Sequence, residues 1–138
     1  RLQRIAEQGV PDYFGPQRFG RGGSNLGRAR DWAESGSAPR DRSQRAFALS
    51  AARSAVFNSV LAARVANGTW NCLLPGEAVM LDGKRSFFRS AAIDAELTAR
   101  CDALDVHTSG PLWGRGDSPA TGEALAVEAP VVASEPAL

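Results

Sequence analysis

Apolar residues recur at three- and four-residue intervals through the middle of the chain. Phe47, Ala51, Ser54, Asn58, Leu61 and Val65 mark one side, and Leu49, Val56 and Val60 widen the stripe. That period predicts a long helix from Ser43 to about Ala66, stopped by Asn67-Gly68. A second helix is expected from Ile93 to Leu104, with Ile93, Leu97, Cys101 and Leu104 on one side. Shorter helices are expected from Leu2 to Gln8, ended by Gly9, and from Leu26 to Glu34, capped by Asn25 and ended by Gly36. Ala78–Leu81, Asp82-Gly83 and Lys84–Arg89 spell a β-hairpin with a two-residue primed turn. Val106 to Trp113 looks extended, and the Ala-rich stretch from Gly122 is helical until Pro130 and Pro136 interrupt it. Helices mixed with a few strands, without a βαβ rhythm or an internal repeat, predict an α+β or irregular α/β fold.

Between the two halves, Gly36 to Arg42 (GSAPRDR) has the composition of a linker, and the main boundary is placed there. The chain has 138 residues, 43% hydrophobic and 22% charged, which excludes collagen-like, coiled-coil and wholly disordered classes. No run of about 18 uniformly apolar residues is present, so no membrane-spanning helix is expected. The opening Arg1-Leu2-Gln3-Arg4 has no Met and no apolar stretch behind it, so the expectation is a piece of a longer chain with no signal peptide.

Charge changes the picture more than composition does. The net charge is +1, yet residues 1–64 carry 11 Arg against 5 acids and residues 65–138 carry 5 basic residues against 10 acids. All basic residues but Lys84 are Arg, whose planar fork suits phosphate. A lopsided basic half points to an anionic partner, with nucleic acid first; solvated Arg on helix faces would give the same count.

Most short motifs have a local explanation. Gly114-Arg115-Gly116-Asp117-Ser118-Pro119 spells a cell-attachment sequence and Asn67-Gly68-Thr69 a glycosylation sequon, which together would suit a secreted adhesion module. A Gly/Pro/Ser surface loop and a helix stop account for both. His107 is the only histidine and reads as a loop imidazole; Cys72 and Cys101 lie 29 residues apart and read as buried thiols. Neither a zinc site nor a disulfide scaffold follows from that spacing. No GxSxG elbow occurs, Gly83-Lys84 fails the P-loop pattern, and Gly20–Gly23 does not meet GxGxxG.

Residues 10–26, VPDYFGPQRFGRGGSNL, place three aromatics, two Arg and four Gly in one stretch. Rings between basic side chains suit a nucleic-acid site, where aromatics stack on splayed bases while Arg holds phosphates. A core-lining loop with solvated Arg would use the same residues, and chemistry alone leaves both open.

The same segment closely resembles the motif VPNYFGxQRFGxGGxNL of the TruD-type tRNA pseudouridine synthases. The likeness continues through Arg40-Asp41-Arg42 and the run Phe47 to Asn58, and more loosely through Gly76–Leu81 and Gly110–Gly114. The resemblance implies a cofactor-free enzyme that isomerises uridine 13 in the D arm of tRNA, with no metal, no membrane, cytoplasmic location and a monomeric parent. It implies that Phe14 is the pocket aromatic that stacks on the flipped uridine. Arg18 and Arg21 are assigned to backbone phosphates by charge. Asp12 stands where the family carries Asn, so a hydrogen-bond-donating amide becomes a carboxylate. Beside the family's nucleophilic Asp, two carboxylates would compete to ionise.

That nucleophile belongs to a GxKD motif expected upstream; Lys84 is followed by Arg85, so the motif is not in these residues. The resemblance therefore implies no catalytic residue in this chain, substrate-binding residues Asp12, Phe14, Arg18 and Arg21, and a fragment that is inactive alone. Residues 1–39 are expected to be part of the catalytic domain, and 40–138 most of an inserted domain. Separated from its sheet partners, the 10–25 segment is expected to be mobile or to borrow contacts from a neighbouring copy. A non-catalytic module that grips tRNA through the Arg-rich half is the alternative.

Overall fold

The longest helix forms where the periodicity places it, at Arg42–Ala66. A computed structural model describes residues 2–110, 112, 114 and 116–135. In chain order its helices are α1 (Leu2–Gln8), α2 (Ser24–Ser35), α3 (Arg42–Ala66), α4 (Ala95–Asp102) and α5 (Gly122–Ala133). Its strands are β1 (Glu77–Leu81), β2 (Phe87–Ser90) and β3 (Val106–His107), and two 3-10 turns, Pro16–Phe19 and Arg21–Gly23, precede α2. The fold is α+β.

Asp41 caps α3 by accepting the Gln44 N–H at 2.8 Å. The buried stripe is rotated from the one the bulky residues suggested. Ala48, Ala51, Ala52, Val56, Val60 and Arg64 are buried, whereas Phe47, Leu49 and Val65 are exposed. The alanines win because they let α2 approach closely: Ala29 of α2 meets Ala48 and Ala52, and Trp32 packs beside them. Length and composition would let α3 cross a membrane, contrary to the sequence expectation. In this fold it is the core helix that α2 and α5 pack on.

Asn25 is not the cap of α2. The helix begins two residues earlier, at Ser24 behind Gly23 at φ +78°, because the glycine-rich turns lead straight into it; the Asn25 amide accepts from Arg28 instead. Gly36, at φ +68°, ends α2 with its N–H on the Trp32 carbonyl at 2.9 Å.

The sheet is antiparallel in the order β2-β1-β3. Met80 faces Phe87 across one ladder and His107 across the other. The hairpin closes through a longer loop than the primed turn expected. Leu81 donates to the Ser86 carbonyl at 3.3 Å, and Lys84 donates to Leu81 at 3.1 Å. Asp82 is drawn sideways toward β3: its N–H reaches the Asp105 carbonyl at 3.0 Å, and its carboxylate meets His107 Nε2 at 2.7 Å. His107 is thus a strand residue, and among the described residues the predicted extended stretch pairs only at Val106–His107; Pro111 and Trp113 lie outside them.

Helix α4 is shorter than expected at both ends. Asp94 caps it through the Leu97 N–H at 2.8 Å, and Leu104 turns the chain with φ +58°. Leu73, Val79, Cys101 and Val106 form the core between α4 and the sheet, with Leu81, Phe88, Ile93 and Leu97 packed around them. Burial, assisted by Asp102, pushes the Cys101 thiol up. Cys72 is exposed, contrary to expectation, because it sits in the turn-rich segment after α3.

Helix α5 continues through Pro130 to Ala133. Pro130 lies in the last turn, where its missing N–H removes one bond, and its carbonyl still accepts from Ser134 at 3.1 Å. Pro136 lies outside the described residues. The start of α5 is docked by backbone: Thr121 donates to Gly76 at 2.9 Å and Ala124 to Pro75 at 3.1 Å. Gly76 has φ +87°, and a Cβ there would run into the Thr121 carbonyl.

An ionic cluster joins α3, β1 and α5. Arg64 donates to both oxygens of Glu77, at 3.1 and 2.7 Å, and to the carbonyls of Thr69 and Cys72, each at 3.2 Å. Glu128 is fully buried nearby. The Ser118 hydroxyl reaches its Oε2 at 3.4 Å, while Oε1 has no hydrogen-bond partner among the described residues. Burial first, then the Glu77 charge, push the Glu128 carboxyl up to about 7, against the opposing pull of Arg64.

Because the folded state holds this proton more tightly than the unfolded chain, Glu128 makes stability fall as pH rises from about 4.5 to about 7, with the loss complete above that. Glu128→Gln is expected to flatten that part of the stability profile and to raise Tm at pH 8. Thermal denaturation of both proteins from pH 4.5 to 8.5 checks this.

Candidate functional site

The aromatic-glycine-arginine segment lies against the N-terminal two-thirds of α3. Two prolines and a set of glycines force it into short turns: Pro16 opens the first 3-10 turn, and Gly20, at φ +79°, separates it from the second. At Gly20 a Cβ would crowd the Ser24 hydroxyl and the Asn25 amide. The segment is held by contacts with its own chain.

Asn58 makes the principal attachment. Its Oδ1 accepts the Phe14 N–H at 2.9 Å, and its Nδ2 donates to the Phe14 carbonyl at 3.0 Å. One side-chain amide thereby satisfies both backbone polar groups of Phe14, as a strand neighbour would. The ring is fixed by two more contacts. Phe57 packs edge-on, centroids 5.2 Å apart and planes at 72°. The Arg18 guanidinium lies over the ring, 4.9 Å from its centroid, and Nη1 donates to Ser50 Oγ at 3.0 Å.

Phe14, Gln17, Arg18, Asn25, Phe47 and Ser50 line a cleft of about 450 Å³. Phe14 is half-buried, and Phe47 is exposed at its edge. Of the four residues singled out in the sequence, the structure brings Phe14 and Arg18 together. Asp12 is exposed and lines a separate cleft of about 710 Å³ between residues 8–12, α3 and the sheet. Arg21 is exposed in the second 3-10 turn. A flat ring, a flat cation and a hydroxyl around one opening can take a planar heterocycle and an adjoining anion. Among the described residues no cluster of three or more His, Cys, Asp or Glu is placed to hold a metal ion.

The sequence did not point to Asn58, Phe57 or Ser50 as parts of this site. Asn58 was the available signal: a side-chain amide on the inward face of a helix must find partners, and its partners are at Phe14.

Against this geometry, the family model for tRNA pseudouridine synthase D (TruD) matches residues 24–136. The chain belongs to the TruD family. It is 51% identical over 133 residues to a tRNA pseudouridine synthase D of Nitrosococcus oceani, covering 96% of this chain and 37% of that protein. It is 49% identical to one of Pseudomonas aeruginosa over 138 residues, all of this chain and 39% of that protein. A third, of Methylococcus capsulatus, is 49% identical over 132 residues, 93% of this chain and 36% of that protein. The chain thus spans about two-fifths of the length of these TruD relatives. The Pseudomonas match includes residues 10–23, which the family model leaves out.

Behind Phe57 the backbone of Gly110 passes so closely that a Cβ there would run into the ring. Gly110→Ala is expected to push Phe57 toward Phe14 and to destabilise the fold by about 1–3 kcal/mol, the usual range for overpacking. Denaturant titration measures the loss, and a changed near-ultraviolet aromatic signal reports the displaced rings.

Proposed function

We propose that the complete polypeptide containing these residues isomerises a uridine of tRNA to pseudouridine, and that the uridine is position 13 of the D arm. Family membership supports the reaction class, and the proteins it matches are named tRNA pseudouridine synthase D. The observation that carries the local reading is the held Phe14 ring beside Arg18 at an open cleft. Phe14 stacks on the base once it leaves the helix, replacing part of the lost stacking. Arg18 and Arg21 hold backbone phosphates, and Asp12 contacts the substrate from the separate cleft that it lines.

The bond-making carboxylate is supplied by a part of the polypeptide outside these 138 residues, so they alone do not turn tRNA over. Residues 1–39 belong to the catalytic domain and 40–138 to the insertion, with the join in the segment between α2 and α3. The reaction needs no cofactor or metal, and the intact enzyme acts as a cytoplasmic monomer.

In the complete enzyme, Phe14→Ala is expected to reduce pseudouridylation of a tRNA transcript by about 10²-fold, as loss of a positioning contact can do, with a much smaller loss in Tm. Unchanged activity would remove the stacking role. Absence of turnover by the unaltered enzyme on any tRNA, with binding retained, would favour the non-catalytic RNA-binding alternative.

Phosphate contact has its own signature. Arg21→Ala is expected to weaken tRNA binding and to lower the slope of log K against log salt by about 1. Filter binding across a salt series measures both, and an unchanged slope would exclude Arg21 from the phosphate path.

A further inference from the structure

We infer that Asn58 is a positioning residue for the base-stacking ring: its amide sets the backbone of Phe14, and through it the plane on which a flipped base lands. The inference rests on the stacking role proposed for Phe14 and assigns the control of that role to a residue on a different element.

Three observations carry it. Asn58 engages Phe14 through both of its amide atoms, at 2.9 and 3.0 Å, and these bonds span 44 residues of sequence. Phe14 lies in non-helical, non-sheet backbone, so no ladder fixes its φ and ψ. The other ring contacts come from the same stretch of α3: Phe57 packs edge-on from the adjacent position, and Ser50, two turns earlier, holds Arg18 over the ring. The loop therefore takes its geometry from α3, and Asn58 is the one α3 side chain that bonds to the Phe14 main chain.

Chemistry restricts what can stand at this position. The site needs one acceptor and one donor on the same flat group, which Asn presents. A carboxylate offers the acceptor but places its second oxygen against the Phe14 carbonyl. Alanine offers neither and leaves two backbone groups to water. Either change frees the loop to shift, and a misplacement of about 1 Å in a positioning group costs on the order of 10²-fold in rate. The loss should fall on kcat, because tRNA is gripped mainly through phosphates elsewhere.

The test is a double-mutant cycle in the complete enzyme, with kcat and KM for tRNA pseudouridylation measured for the unaltered protein, Asn58→Ala, Phe14→Ala and the double variant. The expected result is a kcat loss of about 10–10²-fold for Asn58→Ala with KM within about threefold. In the Phe14→Ala background the same change should cost less than about twofold, since no ring is left to orient. Asn58→Asp, which keeps helix and volume, should repeat the kcat loss and serves alone if Asn58→Ala does not fold. Normal kcat in both Asn58 variants overturns the inference. So does an Asn58 loss of full size in the Phe14→Ala background, which would mean a general structural role. Normal activity of Phe14→Ala overturns the stacking role itself, and an inactive unaltered enzyme overturns the proposed reaction, so the failures are distinguishable.

Discussion

Arg64 leaves the last full turn of α3 with its side chain 3% exposed and meets a Glu77 side chain that is 0% exposed. Two charges so far from water are tolerable only with nearly every donor and acceptor used, and this pair meets that condition. Arg64 reaches both Glu77 oxygens and two carbonyls of the intervening segment; Glu77 also accepts the Leu74 N–H at 3.3 Å. Such a pair adds little net stability compared with apolar residues of the same shape, but losing one partner strands the other. Its effect is on geometry. It fixes where the 69–74 segment crosses, where β1 starts relative to the end of α3, and so where the sheet and α4 stand. The same helix, some way toward its N-terminus, carries Asn58, Phe57 and Ser50. One rigid rod connects the ion pair to the cleft.

Much of the fold is legible in the sequence because it rests on local rules. Gly9, Gly36 and Asn67-Gly68 end helices where they stand, and Asp82-Gly83 marks the hairpin. What escapes is set by partners distant in sequence. The buried face of α3 could not be found from bulk, since Ala48 and Ala52 are selected by the proximity of Ala29. The hairpin loop is lengthened by β3, a strand of two residues inside the stretch expected to be extended, whose pairing with β1 the sequence does not reveal. Buried Arg64, Glu77 and Glu128 look like surface charges until the chain folds back on itself.

The site divides in the same way. Phe14 and Arg18 stand out as an aromatic and a cation in a Gly-rich segment, and the fold joins them directly. Asp12 and Arg21, a few residues to either side, diverge because Asp12 precedes the two 3-10 turns and lines the other cleft, whereas Arg21 lies in the second turn beyond Gly20. Asn58 sits among the apolar positions of a helix, and only the three-dimensional return of residue 14 explains an amide there. Gly110 is similar: its lack of a side chain is accounted for by the Phe57 ring behind it.

Arg18 lies on an aromatic face while Ser50 engages one of its N–H groups, leaving several donors uncommitted. Whatever planar group takes that face displaces the cation, and a displaced cation is free to meet an anion. Conversely, an anion that draws the guanidinium aside uncovers the ring. On the function proposed above, the base and the phosphate of a single nucleotide would be thermodynamically linked through one side chain, each making room for the other. A free base or a bare phosphate would gain only its own half of that exchange, which favours the covalently joined pair.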